Sequence, residues 1–296
     1  MGFKLNPDQI ALAAEYLRKG ELVAFPTETV YGLGAPIFNP EACAKIYLAK
    51  GRPSDNPLIA HISSLDQIDQ IAREIPPEFF LLAKAFFPGP LTVVLKKHPA
   101  VPSIVSGGLD TIAVRMPSHP IARQLISALG QPIVAPSANL SGKPSSTTAD
   151  HVMADFEGKI GAVIDGGATE YGIESTVVSL VGKPCLLRLG AIPKAQIEQI
   201  LPLGEATLEG KLASPGTRYR HYAPEARIKL FSNQQEMEVY LKGSKCRWIN
   251  PQITLANLYA VLRQADEERY DEIVLISPSD EVLMDRLRRA AVDQTR

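Results

Sequence analysis

Leu22-Val23-Ala24-Phe25-Pro26-Thr27-Glu28-Thr29-Val30-Tyr31-Gly32-Leu33-Gly34 is the stretch on which the fold turns. Four apolar residues suit a short buried strand, and Pro26 ends it just before two hydroxyls and a carboxylate. Ligands of open α/β sheets sit where strands end, so a polar loop here points to a site. A turn whose threonines satisfy backbone donors accounts for the same residues. Upstream, Asn6-Pro7-Asp8 reads as a helix cap with proline at the first helical position. Ile10, Leu12, Ala13, Tyr16 and Leu17 then recur at helical spacing until Gly20. Downstream, Asn39-Pro40 repeats the cap signal before a helix over residues 41–50. The chain opens as helix, strand, polar loop, helix.

The same pattern predicts strands over 58–62, 91–95, 111–114, 132–135, 162–164, 176–180 and 185–187, with helices over 77–86, 120–129 and 193–200 between some of them. Because helices separate only some strands, the expected fold class is α/β with a mixed, twisted sheet and flanking helices. Beyond residue 201 the periodicity fades into Pro202, Gly204, Gly210 and Pro215-Gly216 and then Arg218-Tyr219-Arg220-His221-Tyr222, which reads as a linker. Strands over 228–231, 247–249 and 272–276 then alternate with helices over 234–241, 255–267 and 281–290, the pattern of a small Rossmann-like unit. The expected domains are 1–201, a linker or lid over 202–226, and 227–296.

The 296 residues carry 31 Lys+Arg against 32 Asp+Glu, a formal net charge of −1, which argues against a generally basic nucleic-acid coat protein. With 45% hydrophobic and 21% charged residues the composition is that of a globular chain, not a disordered one. Cys43, Cys185 and Cys246 lie far apart and make neither a CxxC knuckle nor a disulfide framework. Together with an N-terminus lacking a signal-peptide core and no apolar run long enough to span a bilayer, they lead us to expect a soluble, cytoplasmic protein.

Gly32-Leu33-Gly34-Ala35-Pro36 lacks the third glycine of a dinucleotide fingerprint, and no GxxxxGK[ST], HExxH or GxSxG occurs. A site must therefore be assembled from loops. Lys50-Gly51-Arg52-Pro53 and Asn56-Pro57 present two cations and an amide on a stiff loop suited to polyphosphate, although capping of a helix C-terminus also explains the cations. His61 ends a strand, where a satisfied core histidine is the ordinary finding. Arg115 ends another, offering a bidentate fork for a carboxylate or one half of a buried ion pair. Pro136-Ser137-Ala138-Asn139-Leu140-Ser141-Gly142-Lys143-Pro144-Ser145 gathers small donors around a glycine. Glu174-Ser175-Thr176 and Leu187-Arg188 complete a set too rich in cations for capping alone, and fitted to an anion larger than one phosphate.

These segments, with Ala113-Val114-Arg115 and Glu174-Ser175-Thr176-Val177, resemble the YrdC-like domain of threonylcarbamoyl-AMP synthases across about residues 7–201. Ser214-Pro215-Gly216-Thr217-Arg218-Tyr219-Arg220-His221-Tyr222-Ala223-Pro224 resembles the linker of the family's two-domain branch, whose second domain is Rossmann-like. The resemblance implies a nucleotidyltransferase that joins L-threonine, bicarbonate and ATP into threonylcarbamoyl-AMP and pyrophosphate, for tRNA threonylcarbamoyladenosine formation by downstream transferase proteins. It implies that Thr29, His61, Arg115 and Ser175 hold threonine, and that Lys50, Arg52, Asn56, Thr111, Ser137, Asn139, Ser145 and Arg188 surround ATP. Lys50 and Arg52 would then act in catalysis, with Tyr219 in a lid over the nucleotide. Mg²⁺ is expected to arrive with ATP, and no protein metal ligand is expected. Two other functions share the domain: a double-stranded RNA-binding module, against which the near-neutral charge argues, and a carbamoyl-adenylate step of hydrogenase maturation, whose usual zinc-finger segment the spaced cysteines do not supply.

Overall fold

The structure, a computed structural model, describes residues 3–206 and 222–291. Its first unit runs β1 (Phe3–Leu5), α1 (Ile10–Arg18), β2 (Val23–Phe25), β3 (Gly32–Pro36), α2 (Pro40–Lys50), β4 (Ile59–His61), α3 (Ile68–Ile71), β5 (Ala72–Arg73) and α4 (Pro77–Phe86). It continues through β6 (Leu91–Lys97), β7 (Thr111–Arg115), α5 (Pro120–Leu129), β8 (Ile133–Val134), α6 (Ala149–Phe156), β9 (Ala162–Ile164), β10 (Thr176–Ser179), β11 (Cys185–Arg188) and α7 (Lys194–Glu198). The strands make one sheet in the order β1-β9-β2-β3-β8-β4-β7-β6-β10-β11, with β5 on β6. β4 runs parallel to β7 and β6 to β10, whereas β3 is antiparallel to both β2 and β8, and β6 to β7. This is the mixed sheet expected from the uneven spacing of helices.

Alternation along each strand divides the core. Val23 and Phe25 point to one face with Ile133, under α1 and α5, while Leu22 and Ala24 join the opposite cluster with Ile46 of α2 and Leu82 of α4. Local chemistry sets the helix ends: the Asn39 side chain accepts from the Ala42 amide ahead of Pro40, and Gly51 closes α2 in the left-handed region at φ 60°.

Several expectations need correction. Asn6-Pro7 does not start α1: the helix begins at Ile10, after a turn in which the Gln9 amide donates to the Asn6 carbonyl at 3.0 Å. Gly32-Leu33-Gly34 is not loop but strand, bridging β2 and β8. A Cβ on Gly34 would lie 2.8 Å from the Phe25 ring and 2.9 Å from Ile133, so glycine here lets a large ring pack across the strand. The helix expected from residue 255 starts at Leu258, because Thr254 and Asn257 first cap one another.

The second unit is β12 (Arg227–Phe231), α8 (Gln234–Gly243), β13 (Trp248–Ile249), α9 (Leu258–Glu267), β14 (Glu272–Ile276) and α10 (Glu281–Ala291), with all three strands parallel in the order β12-β14-β13. Its apolar cluster does not close on itself. Val30 and Ile173 of the first unit pack into it with Tyr222, Leu258 and Tyr259. No helix among the described residues is long and apolar enough to cross a membrane.

Candidate active site

The polar loops meet near strand ends: His61, Arg115 and Arg188 close β4, β7 and β11, Ser175 immediately precedes β10, and all four line one cavity. Ile59 and His61 lie two residues apart and so share a face. Register places Arg115 beside His61, and the Ala135 amide donates to the Ile59 carbonyl at 2.9 Å. Around them closes a cavity of about 60 Å³ lined by Thr27, Thr29, Tyr31, Arg52, Ile59, His61, Arg115, Ser137, Glu174, Ser175, Arg188 and Tyr222, among others.

Seven of the sequence-derived candidates are therefore brought together: Thr29, Arg52, His61, Arg115, Ser137, Ser175 and Arg188. Arg115 does not present an empty fork. One terminal nitrogen donates to the Glu28 carboxylate at 2.6 Å and the other to the Thr29 hydroxyl at 2.8 Å, so the ion pair weighed from sequence is realised. Its buried Nε has no protein partner, so the guanidinium keeps donor capacity for a ligand. His61 places Nδ1 3.0 Å from the Ile59 carbonyl. A carbonyl can only accept, so Nδ1 carries the proton and Nε2 is left as an acceptor. Burial first, and then the Arg115 charge, push the His61 pKa down to about 3, so the ring is neutral near pH 7.

Ser175 shares a 2.7 Å hydrogen bond with Thr92, and Arg188 donates to the Ser175 carbonyl from Nε and Nη2. Arg52 donates to the Pro57 carbonyl at 3.0 Å, and burial pushes its pKa down to about 10, which leaves it a cation at neutral pH. Asn56 is buried nearby with neither amide atom hydrogen-bonded, the mark of a side chain shaped for a partner from outside the chain.

Other candidates lie behind this surface. Lys50 is buried and donates to the Ser137 and Asn139 carbonyls, so it shapes the loop instead of lining the cavity. Burial first, and then Arg52, pull its pKa well below the usual lysine value. The Asn139 amide turns back onto the Leu140 and Lys143 carbonyls, while Ser145 donates to Glu174 at 2.7 Å. Thr111 stands at the far end of β7, about 13 Å along the strand from Arg115, paired with Lys96. Tyr219, with Arg218, Arg220 and His221, lies outside the described residues. Tyr222, just after them, lines the cavity, and the next residue, Ala223, donates its amide to the Gly142 carbonyl at 2.9 Å.

Two participants carried no assigned role in the sequence reading. Glu28 was legible only as one more loop carboxylate, yet it fixes Arg115. Glu174 had a signal, a charge entering an apolar strand, but its partners come from far along the chain. Tyr259 donates to it at 2.8 Å and Arg286 at 3.0 Å, both from the second unit. Burial alone would raise the Glu174 pKa, but Arg286, Arg188 and the hydrogen bonds from Ser145 and Tyr259 together hold it below the ordinary carboxylate value.

A family model described as telomere recombination matches residues 15–190, and one described as threonylcarbamoyl-AMP synthase, C-terminal domain, matches residues 192–292. The threonylcarbamoyl-AMP synthase of Pyrococcus abyssi is 53% identical over 74% of this chain and 67% of its own length. That of Bacillus subtilis is 43% identical over 97% of this chain and 94% of its own. The crystal structure of P. abyssi Sua5 complexed with L-threonine superposes with a TM-score of 0.89 at 40% identity, covering 98% of this chain and 97% of that one. With both halves matched by family models and the B. subtilis relative aligned almost end to end at 43% identity, the chain belongs to the threonylcarbamoyl-AMP synthase family.

Proposed function

We infer that this chain makes threonylcarbamoyl-AMP and pyrophosphate from L-threonine, bicarbonate and ATP, supplying the adenylate used to modify tRNA. One observation carries the reading: His61, Arg115 and Ser175 share a cavity with Arg52 and Arg188, so groups suited to an amino acid and groups suited to a polyphosphate face the same space. Threonine's amine attacks the bicarbonate carbon, forming the N–C bond and releasing water. A carbamate oxygen then attacks the α-phosphorus, and the bond to the departing pyrophosphate breaks.

No protein nucleophile is required, and the chain's task is alignment and charge balance. Arg115 meets the threonine carboxylate through the donors that Glu28 and Thr29 do not use. His61 Nε2 accepts from the substrate's amine or hydroxyl, and Arg52, Arg188 and Asn56 face the phosphates. Lys50 and Asn139 act indirectly by shaping the loop that carries Ser137. The linker through Tyr219 would close over the nucleotide, with residues 1–201 and 227–296 as the units on either side.

Mg²⁺ belongs to this reaction as part of the ATP complex. The donor set offers it no protein cage: no group of three His, Cys, Asp or Glu gathers among the described residues, and the carboxylates at the site, Glu28 and Glu174, already pair with arginines. No step here is assigned to the ion.

The test is pyrophosphate release by the purified protein with ATP, Mg²⁺ and bicarbonate. Release is expected only when L-threonine is added. Arg115→Lys keeps a charge for Glu28 but loses the planar fork, and should raise the KM for threonine by about tenfold or more. Release independent of threonine would contradict the reading, and salt-sensitive RNA binding without release would favour an RNA-binding module.

A further inference from the structure

The cavity wall contains a carboxylate that a polyphosphate site should not tolerate. Glu174 lines the same space as Arg52 and Arg188, and an ionised carboxylate there repels an anionic ligand. Both of its oxygens nevertheless accept hydrogen bonds from within the protein. Ser145 donates to Oε1, while Tyr259 and Arg286 both donate to Oε2. Arg286 is completely buried and pinned by further bonds to the Leu189 carbonyl at 2.7 Å and to Asp285. The same pair sets a second wall residue: Tyr259 stacks on the Tyr222 ring with centroids 5.3 Å apart, and the Arg286 guanidinium lies 5.3 Å from that ring's centre. Tyr222 holds a backbone φ of 68°, a left-handed conformation that a tyrosine keeps only when its surroundings impose it. Neither Tyr259 nor Arg286 is among the residues that line the cavity.

We propose that Arg286 and Tyr259 of the second unit are positioning residues for ATP: by engaging Glu174 they keep its charge from the phosphates, and they fix Tyr222 against the cavity. This rests on the synthase reading above. It gives the second unit a part in substrate binding that requires no ligand site of its own. It also predicts an asymmetry. ATP carries about four negative charges and zwitterionic threonine none, so an uncompensated Glu174 should act mainly on ATP.

The experiment measures KM for ATP and for threonine, with kcat and melting temperature, in the full-length protein. Arg286→Met should raise the ATP KM by about tenfold and the threonine KM by no more than about twofold, and adding Glu174→Gln to it should recover most of the ATP effect. An unchanged ATP KM, with only the melting temperature or the active fraction reduced, would overturn the proposal. So would equal rises in both KM values that Glu174→Gln does not reverse, because that is general distortion. Should Arg286→Met not fold, Tyr259→Phe removes a single hydroxyl, and a rise of about threefold in ATP KM is expected, with no change counting against. Calorimetric titration of ATP into the same proteins separates this proposal from the reading beneath it. If the wild type binds ATP but releases no pyrophosphate with threonine, the reading fails, while the affinity ratio between wild type and variant still decides the positioning role.

Discussion

His61 shows how a single residue ties the site to the stability of the fold. The unfolded chain takes up a proton on this side chain near pH 6.5, whereas the folded chain resists until about pH 3. Stability is therefore unaffected above the unfolded value and falls as pH drops through the window between the two. His61 alone should cost about 2 kcal/mol between pH 7 and pH 5. His151, pushed down to about 4 mainly by burial, adds to the same slope. Urea denaturation at the two pH values should show a drop in His61→Gln that is smaller than the wild-type drop by that amount, and equal drops would mean the ring titrates normally. The same low pKa leaves His61 a hydrogen-bond acceptor that is too weakly basic to serve as an effective general base at neutral pH. At this scale the sequence exposed residue types but not their allegiance. The strand Thr111–Arg115 announces an arginine at its end, yet whether that fork holds Glu28 or a ligand depends on a loop 87 residues away. Lys50 looks like a phosphate cation because nothing local reveals the two carbonyls that capture it.

Elements were legible where a local signal fixes both ends. α4 and α5 start with proline at the first turn, and α5 stops at Gly130 in the left-handed region, so their limits follow from the chain alone. α6 escaped notice although Thr148 caps it and Ala149, Val152 and Phe156 form its buried stripe, because it follows a loop dense in serine and proline. β1 escaped because two of its three residues are exposed and it gains its place only by pairing with β9. Gly190 shows why one such junction governs the site. Just beyond β11, it sits where an added Cβ would lie 2.4 Å from the carbonyl carbon of Ser175 and from the Thr176 nitrogen, and 2.5 Å from the Glu174 carbonyl oxygen. All three are backbone atoms, so relief requires the segment entering β10 to move, carrying Glu174 and Ser175 with it. Gly190→Ala is expected to cut threonine-dependent pyrophosphate release by at least about tenfold at a temperature where circular dichroism still shows a folded chain. Full activity in that variant would mean the segment has slack the packing does not suggest.

Across the whole molecule, the alternation after residue 226 reveals a second α/β unit but hides its dependence on the first. Three short strands and three helices make a small core, and Val30 and Ile173 of the first unit pack into it beside Leu258 and Tyr259. Two buried ion pairs cross the same boundary. Arg286 reaches Glu174, and Arg263 of α9 reaches Asp155 at 2.7 Å while also donating to the Pro144 carbonyl and the Ser146 hydroxyl. Arg263 therefore secures the loop that carries Ser145, one of the donors to Glu174, so the two pairs support the same region. Units joined in this way should unfold together, as a single endotherm in calorimetry. Arg263→Met removes one crossing pair and leaves Asp155, 2% exposed at its side chain, with Lys143 at 3.8 Å and the Leu140 amide still beside it. Breaking a buried pair from one side costs about 3–5 kcal/mol, and here the loss falls on the contact between the units and not within either one. The expected result is two resolved transitions, the lower from the second unit, with activity lost across the lower one even though the large sheet remains folded. A single endotherm at the wild-type temperature would instead mean that the apolar cluster alone couples the units and that the buried pairs contribute little to holding the site together.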